Sequence, residues 1–164
     1  MAETGSRVGL MPEMSDEVTV HMNAPAEKIW DLVSDVTRIG EYSPETFEAE
    51  WLDGATGPAV GAKFRGHVKR NQKGPTYWAS CTVTECEPNR LFTFGVGEPG
   101  KVLNTWSYRL TPASDGTDVT ESFQLTDKLP LRIYWTLLGW ARGKTNRNGM
   151  LTTLNRIKAE VETS

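Results

Sequence analysis

The sequence predicts a single α+β domain: a seven-stranded antiparallel sheet, two short helices after the first strand, and a long C-terminal helix. Three observations predict it. Between Pro44 and Leu125, short runs of strand-forming residues recur at roughly ten-residue spacing, separated by turn chemistry, which is the pattern of an antiparallel meander. From Pro130 to Val161 the apolar spacing becomes helical. The chain has 164 residues, and at roughly 150 residues per domain that length suits one core.

Residues 1–14 mix Gly, Pro and charge without periodicity and are expected to form a loose N-terminal tail, leaving 15–162 as the domain. Val18, Val20 and Met22 alternate with Thr19 and His21, as in a half-buried strand with His21 on its outer face. Asn23-Ala24-Pro25-Ala26-Glu27 starts a helix. Pro25 suits its first position, and Glu27, at the third, faces the positive helix end. Ile29, Val33 and Val36 recur at helical spacing, so this helix is expected to bury one stripe and run to about Asp35. Thr37 to Tyr42 reads as a second helical turn, ended at Ser43-Pro44 because the residue before proline avoids helical angles.

Six strands are expected next: Thr46–Leu52, Ala62–Arg70, Thr76–Cys86, Leu91–Val96, Val102–Leu110 and Thr117–Leu125. Asp53-Gly54, Lys73-Gly74-Pro75, Glu87-Pro88-Asn89, Gly97 to Gly100 and Pro112 to Gly116 punctuate them. Connections this short make neighbours antiparallel. In the last segment, Tyr134, Leu137, Leu138 and Ala141 form one apolar stripe, and Met150, Leu151, Leu154, Ile157 and Val161 another. Gly139, Gly143 and Gly149 each cost a helix about 1 kcal/mol against alanine, so a kink or break is expected between Gly139 and Gly149.

Several function classes are disfavoured. Gly95 to Gly100 spells GxGxxG, but Lys101 to Leu110 reads as a strand, whereas dinucleotide binding requires a helix after the glycines. GxSxG, GxxxxGK[ST] and HExxH do not occur. Cys81 and Cys86 lie in one expected strand, where five residues span roughly 16 Å, too far for a disulfide. His21 and His67 have no zinc-like spacing to either cysteine, so neither a metal nor a cofactor is expected. With a net charge of −3, a nucleic-acid partner is not expected. Met1 to Met14 lacks the apolar run of a secretory signal and no run is long enough to span a bilayer, so a cytoplasmic location is expected. The charge is uneven: Lys128 to Ala159 holds seven basic residues and no acidic one. Either this segment docks on an acidic body, or it faces an anionic partner. Tyr134, Trp135 and Trp140 interleave with the basic residues, which suits weak contact of Arg132, Arg142, Lys144 and Arg147 with anionic lipid, but the helical period favours a plain solvated helix face.

The element order, with Ala24-Pro25, Ile29-Trp30-Asp31-Leu32, Ser34-Asp35, Tyr42-Ser43-Pro44-Glu45, Val60 to Gly66, Trp106 to Leu110 and Gly116 to Phe123, resembles the SRPBCC superfamily. These are the polyketide cyclase/dehydrase and START-like proteins related to the birch-pollen allergen fold. The resemblance covers about Ser15 to Val161 and contains no catalytic signature. It implies a helix-grip fold, in which a curved seven-stranded sheet wraps around the C-terminal helix, and a cavity between them for an apolar or amphipathic molecule.

Strand alternation says which side chains would face that cavity. Trp106, Tyr108 and Leu110 share one face of their strand, and Val119, Glu121, Phe123 and Leu125 one face of the next. Glu121 is thereby placed inward, where an ionised carboxylate needs water, a hydrogen bond or a ligand. Gly66, on the inner face with Phe64 and Val68, leaves room. His67, beside Arg65 and Lys69, belongs to the solvated face. The expected pocket is lined by Phe64, Gly66, Trp106, Tyr108, Glu121 and Phe123 and roofed by Tyr134 and Leu138. The function expected is binding or carriage of a hydrophobic or amphipathic small molecule, such as a lipid or polyketide, without catalysis. The alternatives are a cyclase- or aromatase-like enzyme using Glu121 with Tyr108 as acid or base, and an interaction module with a vestigial cavity.

Overall fold

Strand β1 (Ser15–Met22) leads into helix α1 (Ala26–Val33) and a 3₁₀ helix (Val36–Glu41). Six strands follow: β2 (Thr46–Trp51), β3 (Lys63–Val68), β4 (Tyr77–Glu87), β5 (Leu91–Val96), β6 (Asn104–Ala113) and β7 (Gly116–Leu125). Helix α2 (Leu129–Thr163) completes the domain. The computed structural model describes residues 15–163, apart from the side chains of residues 71, 129 and 134–140. The expected N-terminal tail, and the side chains of Tyr134 and Leu138, therefore lie outside the described residues.

All seven strands form one antiparallel sheet in the order β1-β7-β6-β5-β4-β3-β2. The α1 and 3₁₀ segment thus carries the chain from one sheet edge to the other. Bulges between Thr46 and Glu48 and between Val83 and Glu85 shift the register of β2 and β4. A bulge bends its strand and increases its twist, and the sheet curves around α2, giving the helix-grip fold. The β4 bulge also changes parity. Cys81 and Val83 face the core, and Cys86, not Glu85, is the next residue packed against it. Both cysteines are free.

Several sequence expectations need correction. Helix α1 starts at Ala26, with Pro25 as its N-cap, and ends at Val33 with Ser34 as C-cap. Val36 is buried but opens the 3₁₀ helix, where Asp35 accepts hydrogen bonds from the Thr37 amide and hydroxyl. The expected break in the last helix is absent, since α2 runs unbroken for 35 residues. A tertiary contact holds this stretch: Arg142, between Gly139 and Gly149, is tied to the Glu45 loop. Leu151 is 37% exposed, while Met150, Leu154, Ile157 and Val161 form the buried stripe at i+4 and i+3 steps.

Pro112 stays within β6, paired with Thr117, rather than ending the strand. The Leu110 amide points to the Arg90 carbonyl on the β5 side, so the amide position of Pro112, two residues on, faces the same side. There β5 has already ended, its ladder stopping at Leu91 opposite Arg109. The missing N–H deprives no partner.

The basic stretch docks on carboxylates of the domain. Arg147 reaches Asp16 at 2.8 Å, Arg132 reaches Asp127 at 3.3 Å, and Lys158 pairs with Glu162 and with the His21 carbonyl. Arg142 Nη1 and Nη2 donate separately to Glu45 Oε1 and Oε2, each at 3.1 Å, with both side chains largely buried. A bidentate, shielded pair is worth more than an exposed one. In a double-mutant cycle of Arg142→Met and Glu45→Gln followed by urea denaturation, a coupling of about 1 to 2 kcal/mol is expected. Additive losses would show that the pair adds nothing to holding the helix on the loop.

Candidate functional site

The two ends of the sheet are filled differently. At one end Met22, Ile29, Val33, Phe92, Val119, Leu154 and Ile157 are fully buried and close the core. Ring contacts continue this packing from Trp30 to Phe92, Phe94, Phe64 and Trp51, at centroid distances of 5.1 to 6.2 Å. Beyond that aromatic wall the sheet and α2 separate around a cavity of about 350 Å³. Small-molecule sites commonly begin at about this size.

The sheet makes room by a row of small residues. Ala49, Gly66 and Ala79 stand opposite one another across β2, β3 and β4. Gly66 and Ala79 line the cavity, together with Phe64, Cys81, Phe94, Val96, Asn104, Trp106, Tyr108 and Glu121. Arg142, Thr145, Asn146, Gly149, Met150 and Thr153 of α2 bound the other side, and the segment from Ser43 to Thr46 closes a third. Exposed Tyr77 and Leu103 stand at the mouth.

Of the sequence-predicted lining residues, Phe64, Gly66, Trp106, Tyr108 and Glu121 come together here. Phe123 does not line the cavity. It is buried beside Trp106, its register partner across β6 and β7, with ring centroids 5.0 Å apart. The proposed roof residues Tyr134 and Leu138 lie outside the described side chains. Among the polar lining residues that the sequence reading did not name are Asn104 on β6, and Asn146 and Thr153 on α2. Their signals were present. Asn104 is two residues before Trp106, hence on the same strand face, and Asn146 and Thr153 fall at helical spacing from Met150 and Leu154.

The polar chemistry centres on Glu121, only 4% exposed. The Tyr108 phenol donates to its Oε1 at 3.0 Å. Burial pushes the Glu121 carboxyl up to about 8, with the phenol's hydrogen bond pulling slightly the other way. It is therefore a neutral acid at and below neutral pH. Burial and the adjoining Glu121 push the Tyr108 phenol well above its usual range, so it is a donor rather than a base. Burial likewise pushes the Cys81 thiol up to about 12, which leaves it a poor nucleophile. His67 lies on the outer face, stacked 4.3 Å from Trp78 and hydrogen-bonded to Glu48 at 2.7 Å. Among the described residues no group of His, Cys, Asp and Glu is placed to hold a metal ion.

The glycine-rich decoy is a hairpin connection between β5 and β6. Its Gly97 has φ 117°, and a Cβ there would sit 2.6 Å from the Lys101 carbonyl. Among the described residues no helix is long and apolar enough to cross a membrane.

With this geometry in place, the comparisons fall into line. The profile of the family described as polyketide cyclase / dehydrase and lipid transport matches residues 14–162. The chain belongs to that family. Among solved structures, this family member is 31% identical to the Polyketide_cyc-like protein Cgl2372 of Corynebacterium glutamicum, over 93% of this chain and 94% of that one, with a TM-score of 0.58. NE0264 of Nitrosomonas europaea matches at 14% identity and TM-score 0.64, over 92% and 95% of the two chains. The di-domain ARO/CYC StfQ of the steffimycin biosynthetic pathway matches at 16% identity and TM-score 0.69, with 91% of this chain aligned to 50% of StfQ. These last two likenesses concern the fold. No curated protein sequence matches the chain.

Proposed function

We propose that this polyketide cyclase/dehydrase family member binds and carries an apolar or amphipathic small molecule between its sheet and α2. The observation that carries the reading is the cavity itself, about 350 Å³ and walled by Phe64, Phe94, Trp106 and Met150. Apolar walls supply affinity and a few polar groups fix orientation. A space of this size weighs against a vestigial cavity. Contact with anionic lipid has less support, because Arg132, Arg142 and Arg147 each already face a carboxylate, leaving exposed Lys144. Native mass spectrometry and solvent extraction of the purified protein are expected to yield a bound lipid-like or polyketide-like species. A protein that is empty and also takes up no neutral apolar fluorophore would overturn the reading.

The Tyr108–Glu121 pair at the cavity wall favours a second reading, a cyclase- or dehydrase-like enzyme in which the neutral Glu121 carboxyl protonates a ligand oxygen. StfQ, an ARO/CYC protein, has the same fold. Under this reading Glu121→Gln abolishes turnover of a cyclisable substrate, and unchanged turnover removes it.

A further inference from the structure

Two oxygens among the cavity-lining residues have no hydrogen-bond partner: Glu121 Oε2 and Asn104 Oδ1 are the buried side-chain atoms so placed among the described residues. A buried polar atom left unpaired destabilises the fold, so each invites a partner that the protein does not supply. The two have opposite appetites. Asn104 Oδ1 can only accept a hydrogen bond. Glu121 has its Oε1 occupied by the Tyr108 phenol, and as the neutral acid that burial favours it offers a donating O–H from Oε2.

Their spacing follows from the strand register. Glu121 stands opposite Tyr108, and Asn104 lies four residues before Tyr108 on the same face of β6. At about 3.3 Å per residue, the backbone positions that carry the two poles are about 13 Å apart along the sheet. Trp106 lies between them along the strand, packed against its cross-strand partner Phe123. The one cationic side chain of α2 on the cavity wall, Arg142, is already held by Glu45 through both of its terminal nitrogens. Arg70 also lines the cavity, its Nε donating to the phenol of exposed Tyr77 at 3.0 Å, and neither cation reaches the two unpaired oxygens.

We propose that the ligand is an uncharged, elongated molecule whose apolar ring body rests on Trp106, with a hydrogen-bond acceptor such as a ketone at Glu121 and a hydroxyl or N–H donor at Asn104. This rests on the reading of the cavity as a small-molecule site and narrows its occupant. A carboxylate is not expected at either pole, where it would meet an oxygen that no cation of the protein reaches.

The test is displacement of the neutral dye N-phenylnaphthylamine from the purified protein, followed by fluorescence. The competitors are biphenyl, biphenyl with a para acetyl and an opposite para hydroxyl group, the methyl ether of that ketone–phenol, and biphenyl dicarboxylate. The ketone–phenol is expected to displace the dye at about tenfold lower concentration than biphenyl, one net hydrogen bond at each end sufficing for that ratio. The methyl ether, which lacks the donor, is expected to lose much of this advantage, and the dicarboxylate not to compete. Asn104→Leu is expected to make the ketone–phenol and its ether equal. The ether comparison needs no variant and stands even if Asn104→Leu does not fold. If the dye binds but biphenyl or the dicarboxylate competes as well as the ketone–phenol, the two-pole assignment is overturned and the cavity reading survives. If neither the dye nor any competitor binds, the cavity reading itself falls.

Discussion

Glu121→Gln is expected to make the protein more stable than the wild type at alkaline pH and to flatten the pH dependence of its stability. In the unfolded chain the carboxyl ionises near its ordinary value of 4.5, whereas in the folded protein burial holds it neutral to about 8. Between those limits the unfolded state binds fewer protons than the folded one. Stability therefore falls as pH rises through the window and levels off above it. The slope for one such group approaches about 1.4 kcal/mol per pH unit, so the whole window carries several kcal/mol. Glutamine keeps the shape and the acceptor for Tyr108 but cannot ionise, so its curve lacks this loss.

Denaturant titrations of both proteins across and beyond the window measure the difference. His21, raised by its hydrogen bond to Asp118, also contributes stability at low pH that is lost as pH rises through its folded value. Its contribution is common to both proteins and cancels in the comparison. Parallel curves for wild type and variant would mean that Glu121 is solvated in the folded protein and is not the neutral acid on which the polar chemistry of the cavity depends.

That Glu121 points inward was legible from two-residue alternation alone, because Val119, Phe123 and Leu125 leave no other face for it. The same arithmetic placed Phe64, Gly66, Trp106 and Tyr108. It failed where local rules met tertiary structure. Gly139, Gly143 and Gly149 predict a break, yet the helix is continuous there and the Arg142–Glu45 pair ties it to the loop. Phe123 has the right parity, but it packs against its cross-strand partner Trp106, which lines the cavity while Phe123 does not, and alternation is blind to that difference between two inward side chains. The β4 bulge, which turns Cys86 toward the core, has no signature in the alternation of Thr82 to Glu87. Nor does the sequence bring Glu45 to Arg142, since that pair spans 97 positions and depends on the chain crossing from one sheet edge to the other.

Ala79→Phe is expected to weaken binding of a neutral apolar fluorophore by about 100-fold while leaving thermal stability unchanged or raised. Ala79 stands opposite Gly66 on the cavity wall, two residues inward from exposed Tyr77 at the mouth. A phenyl group built there enters empty space rather than a packed core. The ring then buries roughly 150 to 250 Å² of its own surface, against the small residues that made the recess. Ligand and ring compete for one volume, and the covalently attached ring loses no translational freedom in occupying it. In a close-packed site the same change overpacks and costs about 1 to 3 kcal/mol, so the sign of the stability change reports whether the volume is vacant. Ala79→Ser, which keeps the space, is expected to bind as the wild type does. Fluorescence titration and thermal melts of the three proteins decide the matter. Retained binding by Ala79→Phe would place the site elsewhere, and a large drop in melting temperature would mean that Gly66 and Ala79 pack against the helix and enclose no usable space.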